Sequence, residues 1–221
     1  MATMKIFSFT SGPYETHAYL VGDDASGEAM VVDTPPGCAA QVAEAARKNR
    51  LTIRHIVNTH GHWDHMADNA ELKRLTGAAL LCHADDEVLL REPERMRAYG
   101  LMESVEPMTA DRHLNHGDTL AVGALAFRVA HCPGHSPGLI VLHEPKEKVC
   151  FCGDLVFAGS VGRTDFPGGS WEALAKSIRE NILTLPDDTR LLSGHGPVTT
   201  VGRERATNPF LREILAVARR G

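Results

Sequence analysis

Positive charge is short in this chain of 221 residues. Lys and Arg number 23 against 28 Asp and Glu, a formal net charge of −5. General binding to a phosphate backbone needs clustered positive charge, so nucleic acid is excluded as an expected partner. No apolar run reaches the roughly 18 residues that a membrane-spanning helix needs, so no membrane association is expected. The N-terminal MATMKIFSFTSGPYE has no long apolar run before a cleavage-like site and reads as a first strand, not a secretory signal. Cysteines are few and odd in number, five in all. Without a secretory signal they are expected to be reduced thiols, and the expected location is cytoplasmic. Linkers, low-complexity segments and short repeats are missing, which leaves one domain over residues 1–221. With 43% hydrophobic and 23% charged residues, disorder, collagen and coiled coil are excluded.

What the chain does have is histidine, 12 in all. A histidine-rich chain is a candidate for a metal site. The coarse pattern shows where those side chains fall. Met4–Phe9, His17–Val21 and Glu28–Val32 are short β-rich runs separated by turn residues and predict an antiparallel meander. A helix is predicted over Gly37–Arg50, a strand over Ile53–Asn58, a helix over Met66–Leu75 and a strand over Ala79–Cys82. Residues 84–102 have helical spacing broken by Pro93 and Gly100, which predicts two short helices or a mobile cap. Further strands are predicted at Thr119–Val122, Leu125–Ala130, Leu139–His143 and Val149–Cys152, and a helix at Trp171–Leu183 with Ser170 as its N-cap. A short strand at Arg190–Leu192 and a final helix at Arg203–Arg219 complete the pattern, with Asn208-Pro209-Phe210 anchoring that helix. Strands then helices, twice over, predict two similar halves with sheets inside and helices outside.

The strongest local signal is Thr59-His60-Gly61-His62-Trp63-Asp64-His65, directly after a predicted strand. In an extended loop His60 and His62 point to one side and can share one ion. Asp64 and His65 lie where the chain turns into a helix and can face a second ion. Neutral imidazole and carboxylate suit a borderline divalent metal such as zinc, iron or manganese. The plain alternative is a polar surface loop. Three later positions follow the same grammar, a strand, then a loop with glycine, then a donor: His135 in CPGHSPG, Asp154 in GDL and His195 in GHGP. Each alone is more often a turn residue than a ligand; together they supply what a paired-metal site lacks.

The set HxHxDH, PGHSPG, GD and GHGP resembles the metallo-β-lactamase superfamily, and in particular its hydroxyacylglutathione hydrolase (glyoxalase II) branch. The stretches GDLVFAGSVGRTDFPGG and GHGPVTTVGRERATNPFL are similar to the short bacterial enzymes of that branch. The resemblance implies an α/β fold, a four-layer αβ/βα sandwich of two mixed sheets flanked by helices. It implies that His60, His62 and His135 hold a first metal, that Asp64, His65 and His195 hold a second, and that Asp154 bridges them with a water or hydroxide. An Asp there, not a Cys, argues against the branch with a thiolate ligand, and Cys152 is expected to be buried.

A pair of divalent ions, zinc foremost, lowers the pKa of a shared water and polarises a carbonyl. Asp64 and Asp154 are the expected catalytic residues, Asp64 also orienting the hydroxide. The resemblance implies a glutathione-linked thioester as substrate, S-D-lactoylglutathione or a related 2-hydroxyacyl thioester. Arg163 matches the basic position that grips a glutathione carboxylate in longer glyoxalase II enzymes; a turn salt bridge to Asp165 is the alternative. Those longer enzymes carry a C-terminal helical domain, whereas only one helix is expected here after His195. A persulfide dioxygenase of the same superfamily, with a single iron and a GRTDF segment, is the alternative activity; its tail typically reads AHDY where this chain reads GHGP. His17, His55, His83, His113, His116 and His143 are expected to be structural or solvent-facing. Asp33 and His131, at strand ends, are candidates to hydrogen-bond a ligand imidazole.

Overall fold

The computed structural model describes residues 4–100 and 104–218. The first half contains β1 (Met4–Ser11), β2 (Thr16–Asp23), β3 (Glu28–Val32), α1 (Ala39–Lys48), β4 (Thr52–Val57), α2 (Trp63–Met66), α3 (Asn69–Thr76) and β5 (Ala79–Cys82). A 3-10 turn at Ala84–Asp86 leads into α4 (Glu87–Arg91), a 3-10 segment at Pro93–Tyr99 and β6 (Arg112–His113). The second half contains β7 (Thr119–Val122), β8 (Leu125–His131), β9 (Ile140–Glu144), β10 (Val149–Gly153), a small hairpin of β11 (Val156–Phe157) and β12 (Ser160–Val161), α5 (Trp171–Asn181), β13 (Arg190–Ser193), β14 (Thr199–Thr200), α6 (Val201–Thr207) and α7 (Pro209–Ala218).

The expected meander is present: β1, β2 and β3 pair antiparallel. From β3 onward the first sheet continues parallel through β4, β5 and β6. The second sheet runs β14-β13-β10-β9-β8-β7, antiparallel except for the parallel pair β10 and β13. Both sheets are therefore mixed, as expected.

Strand periodicity builds the layers. Successive side chains leave opposite faces of a strand. In β2, Tyr19 and Val21 enter the apolar layer between the sheets, where they join Phe127 and Phe151 of the second sheet. Ala18 and Leu20 face the other way, into a layer with Val42 of α1, Trp63 and Leu72 of α3. On the far side Val141, Cys150, Cys152 and Leu191 pack against Leu174 and Ile178 of α5, Val201 and Leu211. Three apolar layers between four layers of elements give the αβ/βα sandwich. Each fully buried large side chain contributes roughly 1.5–3 kcal/mol relative to exposure.

Several boundaries differ from the sequence reading. The helix expected at Met66–Leu75 is two helices, because His65 O and Thr34 O are drawn into contacts with Asn58 and Asp68 N at the junction. The final helix breaks at Pro209, which lacks an N–H to continue the ladder; Asn208 caps the new start by accepting from Phe210 N. Ser170 caps α5 as expected, accepting from Ala173 N at 3.2 Å. Residues 84–100 form helical turns, and residues 101–102 of the expected cap lie outside the described residues.

The C-terminal ends of β4, β8, β10 and β13 meet at one edge of the sandwich. The two sheets are tied there by His17 N to Gly194 O (2.8 Å), Ile140 N to Thr59 O (2.8 Å) and Tyr19 Oη to Ser193 O (2.7 Å).

Candidate metal centre

All seven expected donors arrive at that edge. His60 and His62 leave the loop after β4, with His62 in extended conformation at the start of α2. Asp64 and His65 sit in the first turn of α2. His135 comes from the loop after β8, Asp154 from the end of β10 and His195 from the end of β13. Apart from His195, whose side chain is 27% exposed, these residues are buried.

The donors form two groups. His60 Nε2 lies 3.1 Å from His62 Nδ1 and 3.2 Å from His135 Nε2. His195 Nε2 lies 3.4 Å from both His65 Nε2 and Asp64 Oδ2. Asp154 stands between them: its Oδ2 is 3.5 Å from His135 Nε2 and 3.4 Å from His195 Nε2, and its Oδ1 is 3.4 Å from His65 Nε2. Donors placed 2.0–2.1 Å from one ion with tetrahedral angles are about 3.3 Å apart. The spacing thus fits two divalent cations sharing one carboxylate. Asp154 Oδ1 is buried without a hydrogen-bond partner, an orphan that a cation would satisfy.

The outer nitrogens set the tautomers. His65 Nδ1 donates to Asp33 Oδ2 at 2.9 Å, His135 Nδ1 to Arg163 O at 2.8 Å, and His195 Nδ1 to Tyr14 O at 2.9 Å. Each bond fixes a proton on Nδ1 and turns Nε2, the nitrogen that a metal would take, inward. Asp33 is itself clamped, accepting from Thr59 N (2.7 Å) and Thr59 Oγ1 (2.8 Å) at a positive φ of 60°. Thr16 Oγ1 donates to Asp64 Oδ2 at 2.8 Å.

The electrostatics calls for cations. Burial and the neighbouring imidazoles hold His60 well below the usual histidine range and push His62 down to about 3, which keeps both imidazoles neutral. Burial works against charge on His195, but Asp154 and Asp64 overcome it and raise it to about 9. Burial opposes charge on His65 as well, yet Asp154, Asp64 and Asp33 raise it well above its ordinary value. Without metal, the carboxylates recruit protons in the places where cations would sit.

Glycine at position 194 is required by close approach. A Cβ there would lie 2.4 Å from both Asp154 Oδ1 and His65 Cε1. At Gly153 (φ 48°) it would lie 2.5 Å from Thr59 Oγ1.

The sequence reading missed Asp86. Its carboxylate, fully buried, accepts from Gly61 N (2.8 Å), Ser136 Oγ (2.7 Å) and Gly138 N (2.6 Å). It therefore pins the loop of His60 and His62 to the loop of His135. No side-chain spacing marked it, because two of the three groups it holds are backbone N–H groups of distant loops. Of the two residues considered as partners of a ligand imidazole, Asp33 is one. His131 is not: its Nε2 bonds Pro137 O at 2.7 Å, and its ring stacks on His83. His17 has a structural role, bridging Thr10 and Gly196 O. Cys152 is buried, and its thiol donates to Val156 O.

The centre opens onto a cavity of about 410 Å³, walled by Tyr14, Trp63, Met96, Arg163 and Phe166. Arg163 is on this wall, but its guanidinium makes a bidentate pair with Asp165 (2.6 Å twice) and lies 3.9 Å over the Phe166 ring. Among the described residues no helix is long and apolar enough to cross a membrane.

A two-sheet αβ/βα sandwich with a histidine and aspartate cluster at one sheet edge defines a metallo-hydrolase fold with divalent-metal sites. The sequence pattern of the metallo-β-lactamase superfamily matches residues 11–195, and the chain belongs to that superfamily. It is 35% identical to the hydroxyacylglutathione hydrolase GloC of Haemophilus influenzae, over 90% of this chain and 93% of that protein. It is 30% identical to the mitochondrial persulfide dioxygenase ETHE1 of Bos taurus, over 89% of this chain and 71% of that one. The crystal structure of TTHA1623 in a di-iron-bound form superposes with a TM-score of 0.81 at 36% identity, covering 93% of this chain and all of that one.

Proposed function

We infer that the protein is a dinuclear metal-dependent thioester hydrolase of the glyoxalase II type. Its substrate is S-D-lactoylglutathione or a related 2-hydroxyacyl thioester. The observation that carries this reading is the pair of three-donor groups joined through Asp154 and open to a cavity walled by Arg163. The family resemblance and the likeness to GloC support the substrate class.

In this reading His60, His62 and His135 would hold one ion and Asp64, His65 and His195 the other, with Asp154 available to both. Zinc is the first choice, with iron and manganese compatible with the same donors. When bound, the pair supplies a water of near-neutral pKa and polarises the thioester carbonyl. The residues of the chain do the rest. Thr16 holds the Asp64 carboxylate in one orientation beside the reacting atoms. Asp33, Arg163 O and Tyr14 O keep three imidazoles in the tautomer that presents a lone pair inward. Trp63, Tyr14 and Phe166 wall the cavity against bulk water. Arg163 turns from Asp165 to a carboxylate of the thiol carrier, a fork that suits bidentate recognition. The departing thiolate, with an ordinary thiol pKa of about 8.5, needs little protonation.

The similarity to a persulfide dioxygenase and the Arg163–Asp165–Phe166 segment favour a second reading, an iron oxygenase using one of the two groups. The GHGP tail that carries His195 leans to the hydrolase. A paired assay separates them. The metal-loaded protein is expected to release thiol from S-D-lactoylglutathione, with loss of that activity in His60→Ala and Asp154→Ala. Oxygen uptake with glutathione persulfide and no thiol release from the thioester would replace the hydrolase with the dioxygenase.

A further inference from the structure

A second histidine cluster lies outside the centre. His83 and His131 come from different sheets, at the ends of β5 and β8, and stack with ring centroids 3.8 Å apart and planes 13° from parallel. Asp85 caps the open side of the stack. Its Oδ2 is 3.6 Å from His83 Nδ1 and 3.9 Å from His131 Nε2. One ring nitrogen of each histidine and a carboxylate oxygen of Asp85 fall within 4.8 Å of one another.

We propose that His83, Asp85 and His131 form a separate, solvent-facing site for a divalent transition-metal ion of zinc type. Two imidazoles and one carboxylate, with water completing the shell, are a donor set that zinc accepts. Each ring nitrogen holds a hydrogen bond that an ion would replace: His131 Nε2 donates to Pro137 O at 2.7 Å, so its proton moves to Nδ1 before it can ligate. His83 Nδ1 accepts the Asp85 N–H at 3.2 Å, so it carries a lone pair and not a proton. Burial, then the neighbouring His131, holds His83 below its ordinary value. From Asp85 Oδ2 the two nitrogens, at 3.6 and 3.9 Å, need to close by less than an ångström toward the roughly 3.3 Å of donors around one ion. The side chains that must move are the more exposed ones: that of Asp85 is 55% exposed and that of His131 24%, whereas that of His83 is 11%.

The position of the site has a consequence for the centre. A tilt of His131 toward the ion takes its Nε2 from Pro137 O, in the loop of His135. Asp85 also adjoins Asp86, the pin between the two ligand loops. An ion here therefore acts on the same loops that carry His60, His62 and His135, and excess zinc is expected to lower activity with this site filled.

The test is zinc content by elemental analysis of the metal-loaded full chain, equilibrated against micromolar free zinc. The wild type is expected to hold one zinc more than the Asp85→Asn and His83→Gln/His131→Gln variants, with the tightly held metal of the centre equal in all three. Asp85→Asn changes an exposed side chain and tests the site without disturbing the core. Equal zinc in wild type and Asp85→Asn, or equal zinc in wild type and the double variant, overturns the proposal. The count of tightly held metal reports on the centre independently, so failure of one site is not confused with failure of the other.

Discussion

Replacing Asp86 with alanine should uncouple the two loops that carry His60, His62 and His135. The carboxylate takes three hydrogen bonds, from Gly61 N, Ser136 Oγ and Gly138 N, at 2.6–2.8 Å. Truncation strands these donors, and each buried unsatisfied group costs about 1–3 kcal/mol. Removing a buried carboxylate returns part of this, since burial pushes the Asp86 carboxyl up despite its three donors. A net loss of about 3–5 kcal/mol follows, a large share of the roughly 5–15 kcal/mol that stabilises a typical domain. With a urea m-value of about 2–3 kcal/mol/M for a chain of this size, the midpoint should fall by about 1–2.5 M. Asp86→Asn keeps one acceptor but points an amide at donors, so it should fall between. Metal competition with a chelator should show weaker binding in both variants, more so in Asp86→Ala. Unchanged midpoint and unchanged metal affinity in Asp86→Ala would refute the idea that this residue joins the loops.

Three further outcomes are expected. Gly194→Ala should sharply reduce metal binding while leaving far-ultraviolet circular dichroism near wild type, because its Cβ would lie 2.4 Å from Asp154 Oδ1 and His65 Cε1; wild-type metal content in this variant would contradict the close approach. Asp33→Asn should weaken metal binding about 10–100-fold, the usual cost of losing the partner that orients a ligand histidine, as read by chelator competition. Zinc binding at pH 7.5 should release protons: His195 of the metal-free protein is raised to about 9, so it is largely protonated there and the ion must displace that proton. Apparent zinc affinity should then rise from pH 6 toward 9 and flatten above. By the same linkage, the stability that a raised histidine gives the metal-free fold is complete below about 6.5, the ordinary value, and is lost as pH rises through about 9. Calorimetry in buffers of different ionisation enthalpy reads the proton count, and no proton release would contradict the carboxylate–imidazole pairing.

The metal edge was legible in the sequence because its donors sit in a repeated context, the loop after a strand, and strands are marked by period-two apolar runs. Asp33 was reachable for the same reason, as a polar residue at the end of β3. Asp86 was not, because it acts through backbone N–H groups of Gly61 and Gly138, which no side-chain pattern records. Tyr14 was missed likewise: what it offers His195 is a carbonyl oxygen. The two-residue strands β6, β11, β12 and β14 were invisible because they carry too few residues for any period. The break at Pro209 does carry a sequence signal, since proline there ends the ladder and Asn208 restarts it. The end of β8 brings His131 toward the ligands, but its side chain faces the His83 ring.

The proposed function requires that seven donors hold two ions that together hydrolyse a thioester. The direct measurement is thiol release from S-D-lactoylglutathione as the metal-free protein is loaded stepwise with zinc, with bound metal counted at each step. The rate is expected to climb to its maximum at two ions per chain and to be lost in Asp154→Ala. A maximum at one ion per chain, or no thiol release at any loading with zinc, iron or manganese, would contradict it.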